Sequence, residues 1–188
     1  MDILSIIKQE HRTVSAMLDE IKDCEPEDER IDELARTIEK ELSAHLAVEE
    51  RLFYSQLRDR TEDEDEQVDM FEAYTEHEVA RHLMELLQSG RKRDEQFKAE
   101  LLVLGESVRH HVQEEESKIF AIARELMDQD ELEDLGEKWE KAKQRLMSRS
   151  SSNGRRGSSR KKAAGGGGRS KKSLGRKKDS ASALTSVD

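Results

Sequence analysis

Apolar residues recur at alternating steps of three and four along four stretches of this chain. The first stretch reads Leu4, Ile7, His11, Val14, Leu18, Ile21, and the second Ile31, Leu34, Ile38, Leu42, His45, Glu49, Leu52. The third reads Met70, Tyr74, His77, Ala80, Met84, Leu87, and the fourth Phe97, Leu101, Leu104, Val108, His111, Glu115, Ile119, Ile122. Such spacing lays one apolar stripe along each of four amphipathic helices. The punctuation places them at about 2–23, 27–58, 61–90 and 92–127. Pro26 suits the first position of the second helix. Thr61 with Glu64 three residues on reads as a capping box, and Gly90 suits a helix C-terminus. A shorter fifth helix over 130–147 carries Leu132, Leu135, Trp139 and Leu146. Connections this short imply antiparallel neighbours, and no stretch alternates as a strand does. The predicted fold is all-α, an up-down-up-down four-helix bundle with a short fifth helix packed across it.

The four stripes share an anomaly. Each carries a histidine on its buried side, namely His11, His45, His77 and His111, and glutamates follow two of them at i+4, Glu49 and Glu115. Positions i and i+4 share a helix face, so each His-x-x-x-Glu offers two ligands to one side. Antiparallel helices bring the four histidines to similar depth, within roughly one to one and a half turns. Imidazoles and carboxylates leave water at high cost unless a partner or a metal satisfies them. Six ligands exceed the set of a tetrahedral structural zinc, and two carboxylates able to bridge favour a pair of ions. Nitrogen and oxygen donors without thiolate suit iron, manganese or zinc.

Composition adds a boundary. Charged residues make up 40% of the 188, and only 4% are aromatic, as in a mostly helical protein. From residue 148 onward twelve Lys/Arg face only Asp179 and Asp188, a net +10; the whole chain carries −10, which leaves −20 on residues 1–147. This Ser- and Gly-rich end, with Gly165 to Gly168 in a row, has no apolar pattern to build a core and is expected to be disordered. The expected division is a bundle domain, 1–147, and a basic tail, 148–188. One cysteine, Cys24, permits no internal disulfide, and neither a leader pattern nor an apolar run of membrane-spanning length is present. A soluble, cytoplasmic protein is expected.

Taken together, Glu10-His11-Arg12, His45-Leu46-Ala47-Val48-Glu49-Glu50 ending in Phe53-Tyr54, Glu76-His77, and His111-Val112-Gln113-Glu114-Glu115-Glu116 ending in Ile119-Phe120 resemble the hemerythrin-like family, the HHE cation-binding domain. The resemblance covers about residues 1–130. It implies a non-heme di-iron centre with Glu49 and Glu115 as bridging carboxylates. Iron is implied by the resemblance and not by the spacing. Two features depart from the oxygen-carrying members. Arg81 stands where they have a fifth histidine, and Glu115 lies four residues after His111 where their carboxylate lies five. His82 sits some 140° around the helix from His77, and His110 about 100° from His111, so both are expected outside the ligand set.

Other motifs fall away. His77-Glu78-Val79-Ala80-Arg81-His82 has one residue too many for the zinc-protease HExxH, and the Glu-x-x-His pairs of ferritin-like bundles do not occur. The glycine run follows no strand, which rules out a phosphate loop. On the resemblance, the domain is expected to bind, sense or react with dioxygen, peroxide or nitric oxide. The alternative is an iron- or oxygen-responsive regulatory module whose basic tail contacts nucleic acid nonspecifically. One ligand set serves carriage, sensing and turnover alike, so the sequence assigns no catalytic residue.

Overall fold

Aspartate opens all four bundle helices in the structure, a computed structural model that describes residues 1–87 and 92–159, with side chains to residue 148. Asp2 caps α1 (Ile3–Asp23) and Asp28 caps α2 (Glu29–Glu49). Asp63 caps α4 (Glu64–Leu86) and Asp94 caps α5 (Glu95–Glu114). Each carboxylate accepts a backbone N–H that the first helical turn leaves unpaired, worth about 1 kcal/mol per cap, and its charge suits the helix dipole. These caps correct two expected boundaries. Thr61 does not open the third bundle helix; it is buried and donates its hydroxyl to Glu66. Pro26 lies in the turn before Asp28. Gly90 lies outside the described residues.

Two helices run on through π-helical turns, which wind one residue wider than an α-turn. α2 continues through π1 (Glu50–Tyr54) into α3 (Ser55–Arg58), and α5 through π2 (Glu115–Ile119) into α6 (Phe120–Leu126). The extra residue rotates the remainder of each helix about its axis. Beyond Glu49 the buried side chains are Phe53, Tyr54 and Leu57, while Leu52, expected on the stripe, is only partly buried.

α1 packs between α2 and α5, and α4 packs between the same two, so the bundle closes as a ring in the order α1, α2, α4, α5. Its core is in two parts. One cluster holds Ile3, Leu4 and Ile7 of α1 with Phe53, Leu57, Met70, Ile119 and Phe120; the other holds Val14, Leu18 and Ile21 with Ile38, Leu42, Met84, Phe97, Leu101, Leu104 and Val108. His11, His45, His77 and His111 fall between the two on every helix.

α7 (Gln129–Ser159) covers the first cluster with Leu132, Leu135 and Trp139. It starts with a reciprocal capping box: the Glu131 N–H donates to the Asp128 carboxylate, and the Asp128 N–H to the Glu131 carboxylate. It also runs past the expected end at 147, because the apolar stripe marks only the packed part and an existing helix gains one hydrogen bond for each residue added. Met1–Ser152 forms one compact unit. The disordered tail expected over 148–188 lies, from residue 160 on, outside the described residues.

Gly136 sets how closely α7 approaches the chain start. A Cβ there would collide with the Met1 carbonyl oxygen and lie 3.2 Å from the Asp2 carbonyl carbon and the Ile3 nitrogen. Gly105 is different, since its Cβ would meet Arg109 and Leu18 at ordinary distances of 3.4–3.5 Å. Gly136→Ala is expected to cost about 1–3 kcal/mol through overpacking. Gly105→Ala should instead stabilise by up to about 1 kcal/mol through helix propensity. Urea unfolding of the two variants checks the contrast.

Candidate metal centre

The six residues singled out by the stripes are all buried, and they converge. His11, His45, His77 and His111 are at most 6% exposed, Glu49 and Glu115 at most 1%. His11, His45 and Glu49 offer donor atoms within 4.8 Å of one another, and so do Glu49, His77 and His111. The arrangement is two histidine pairs with two carboxylates between them. Glu49 Oε2 lies 3.4 Å from His45 Nε2 and 3.3 Å from His77 Nε2. Glu115 Oε2 lies 3.1 Å from His11 Nε2 and 3.7 Å from His111 Nε2. Each carboxylate thus touches one histidine of each pair.

Most of these inward atoms make no hydrogen bond. His11 Nε2, His45 Nε2, both oxygens of Glu49 and Glu115 Oε2 are buried and unpartnered. Leaving such groups unsatisfied costs about 1–3 kcal/mol each, more when charged. The donor set therefore fits a cation, and two oxygens shared between two imidazole pairs fit a pair of cations.

The outward nitrogens are fully engaged. His45 Nδ1 lies 2.8 Å from Glu10, His77 Nδ1 2.8 Å from Glu50, His111 Nδ1 2.9 Å from Glu76 and His11 Nδ1 3.2 Å from Glu116. A carboxylate facing Nδ1 accepts a hydrogen bond from its N–H, which keeps that proton on Nδ1 and leaves the Nε2 lone pair for the interior, the orientation a metal needs. Each pair crosses between helices, α1 to α2, α2 to α4, α4 to α5 and α5 back to α1. The four contacts form a closed ring. Every carboxylate in it sits beside a candidate ligand of its own helix, as Glu10-His11, Glu49-Glu50, Glu76-His77 and Glu115-Glu116.

Tyr54 completes the interior. Its ring stacks on His77 at 5.2 Å between centroids, and its hydroxyl donates to Glu115 Oε1 at 3.2 Å. Burial and the nearby charges of Glu115 and Glu49 hold the phenol well above its ordinary pKa, so it stays a donor. The residues expected outside the set lie toward the surface. His82 is exposed, and His110 is a surface residue bonded to Glu76 at 2.6 Å. Arg81 points away from the interior, to Glu50 at 2.7 Å and to Glu78.

A family model, the hemerythrin HHE cation binding domain, matches residues 2–123. The chain belongs to this family. The crystal structure of a hemerythrin HHE cation binding domain-containing protein, the Rv2633c homolog from Mycobacterium kansasii, superposes with a TM-score of 0.68 at 20% identity, over 79% of this chain and 88% of that one. It shares the hemerythrin HHE fold. A DNA nickase from Nostoc sp. strain PCC 7120 is 27% identical over 149 residues, 79% of this chain. The match takes in only 41% of that relative's length. α7 begins after the stretch that the HHE family model matches.

Electrostatics set how the metal-free HHE domain responds to pH. Burial alone would depress His45, but the charge of Glu49 and the bond to Glu10 outweigh it and raise the imidazole to about 10. Burial would raise Glu49, but His45 and His77 hold it well below the ordinary carboxylate range. In the unfolded chain His45 titrates near 6.5. Its stabilising contribution is therefore complete below about 6.5 and is lost as pH rises through about 10. The chelator-treated protein is expected to lose melting temperature from pH 7 to pH 10, and His45→Gln to flatten that loss. Melts followed by circular dichroism across this range decide it; an unchanged slope in the variant contradicts the assignment.

Proposed function

We propose that the bundle is a hemerythrin-type non-heme di-iron protein. His11 and His45 serve one ion, His77 and His111 the other, and Glu49 and Glu115 bridge them. One observation carries this reading: two imidazole pairs share two buried carboxylates whose inward oxygens lack other partners. Iron over zinc or manganese follows the family resemblance; the all-nitrogen-and-oxygen donor set suits it. When bound, the two irons would supply one-electron redox chemistry and an open coordination position for dioxygen, peroxide or nitric oxide. The chain's own groups keep bulk water out and hold the imidazoles, while Tyr54 fixes Glu115. A void of about 10 Å³ beside His11, His45 and His111, walled by Val14, Leu42, Val108 and Val112, supports a small guest. About that much space admits one water-sized molecule.

Purified protein is expected to contain two irons per chain, and His45→Ala to lose at least one. Metal analysis beside absorption spectra under oxygen, peroxide and nitric oxide tests both points. A wild type that takes up no iron from ferrous salt sinks the reading. Chelation should also lower the melting temperature, since metal binding free energy adds to folding free energy.

A second reading concerns the basic end. We propose residues 1–147 as the metal domain and 148–188 as a cationic arm that meets nucleic acid nonspecifically. Its charge of +10 against −20 on the rest supports this, and the DNA nickase among the relatives gives a weak hint in the same direction. Binding by twelve cations falls steeply with salt. Gel shifts should show salt-sensitive retardation by the full chain and none by a chain ending at Ser148; equal shifts by both contradict it. The buried free Cys24 fits a cytoplasmic protein, and among the described residues no helix is long and apolar enough to cross a membrane.

A further inference from the structure

The four histidine–carboxylate pairs are not equivalent. In three of them, the carboxylate also meets a second nitrogen-bearing side chain on the same helix as the histidine it grips, an Arg or Lys in two and a histidine in the third. Glu50 grips His77 and meets Arg81, four residues on along α4, at 2.7 Å. Glu76 grips His111 and meets the adjacent His110 at 2.6 Å. Glu116 grips His11 and meets Lys8, three residues back along α1, at 2.8 Å. The fourth pair, Glu10 on His45, has no such neighbour. The positions around His45 that match Arg81, His110 and Lys8 hold Glu49, Ala44 and Leu42, none of them basic, and Glu41 stands one turn before it.

Its donors come from α7. Lys143 Nζ lies 2.7 Å from Glu10 Oε2 and 3.2 Å from Glu41 Oε2, drawing together the two carboxylates that face it. The Trp139 indole N–H donates to Glu10 Oε1 at 3.0 Å, and its ring stands edge-on to His45 at 5.4 Å. Trp139 is fully buried and Lys143 partly so. Both oxygens of Glu10 are thereby fixed, one by each residue. Without Lys143, Glu10 and Glu41 would lack the cation between them and repel, and Glu10 would be free to swing from His45.

We infer that Trp139 and Lys143 of α7 are positioning residues for one metal position only, the one served by His11 and His45, and that α7 sets its affinity apart from the other. The inference rests on the two-cation reading of the centre. Charge-assisted hydrogen bonds are the stronger kind, and losing a group that orients a ligating histidine typically costs roughly 10–100-fold in metal affinity. Lys143→Met acts one bond further out, so about tenfold is expected.

The test is anaerobic titration of the full chain with ferrous ion alone, against a competing chelator, with metal analysis for stoichiometry. Trp139, the single tryptophan, reports by its emission on the His45 side. Wild type should take up two ions. Lys143→Met should weaken one of them by about tenfold. The other ion should not change, and the metal-free protein should still melt in one cooperative step, at a somewhat lower temperature because Glu10 and Glu41 then lack their shared cation. Trp139→Phe keeps an aromatic ring, though a smaller one, and removes the N–H, so it should weaken the same ion by metal analysis. Adding Glu41→Lys to Lys143→Met returns a cation to Glu10 from α2 itself and should restore the affinity; Lys141→Met, on the exposed side of α7, should change nothing. Two unaltered ions in Lys143→Met, or equal weakening of both, overturn the inference while leaving the two-cation reading intact. Wild type binding no ferrous ion overturns both.

Discussion

Taking six ionisable side chains out of water in the middle of a bundle is the constraint to which the rest of this structure answers. An uncompensated buried charge costs several kcal/mol, comparable to the whole stability of a domain. The chain meets this cost on two sides. Outward, four carboxylates accept hydrogen bonds from the Nδ1–H groups of four histidines and close a ring through all four helices. Inward, the Nε2 atoms and the oxygens of Glu49 and Glu115 face one another, most of them without hydrogen bonds. The ring therefore fixes the order α1, α2, α4, α5 by polar contacts at the level where the apolar core is interrupted. The two flanking clusters supply the hydrophobic drive.

The π-turns arise from the same demand. Glu49 must face inward while Glu50, the next residue, reaches His77 on α4, and Glu115 and Glu116 divide the same way between the interior and His11. Both helices widen at that point. An inserted residue loosens the hydrogen-bond ladder, which is why such turns gather at functional sites. Here it also carries Tyr54 to the inner face, where a regular helix would bring Leu52. The phenol then covers His77 and holds Glu115.

Much of this was legible in the sequence. The stripes located the helices, and each histidine on a stripe is buried at the level expected. The two i+4 glutamates fall inward because that spacing is set by the α-helix alone. Helix starts were less legible. Thr61 and Asp63 both make good caps by composition, and only the packing of Thr61 decides between them. The outer carboxylates were visible as neighbours of the candidate ligands, yet their contacts were not, because Glu10 meets a histidine on α2 and Glu116 one on α1. Such pairings depend on which helices adjoin. The π-turns left no periodic trace, since one inserted residue near a helix end is indistinguishable from the end of a stripe. The close approach at Gly136 was also silent, because a glycine within a helix says nothing of what backbone lies opposite.

The place of α7 argues for treating the centre as part of a five-helix unit. A bundle of four helices supplies every inward donor, and in three of the four pairs it also supplies a second nitrogen partner for the outer carboxylate, from Arg81, His110 or Lys8. It fails at α2, where Glu41 and Glu49 flank His45 and no basic residue stands one turn away. Glu41 cannot help Glu10 there; it adds a second negative charge beside it. Lys143 answers both carboxylates at once, and a lysine suits that task because a compact ammonium on a flexible stem can sit between two acceptors. Gly136, one turn before Trp139, lets α7 lie against the backbone of Met1 and so brings the indole and the ammonium to Glu10. The docking of the fifth helix and the orientation of one imidazole are thus a single event, and the polar interior reaches through α1 to a helix that contributes no ligand of its own.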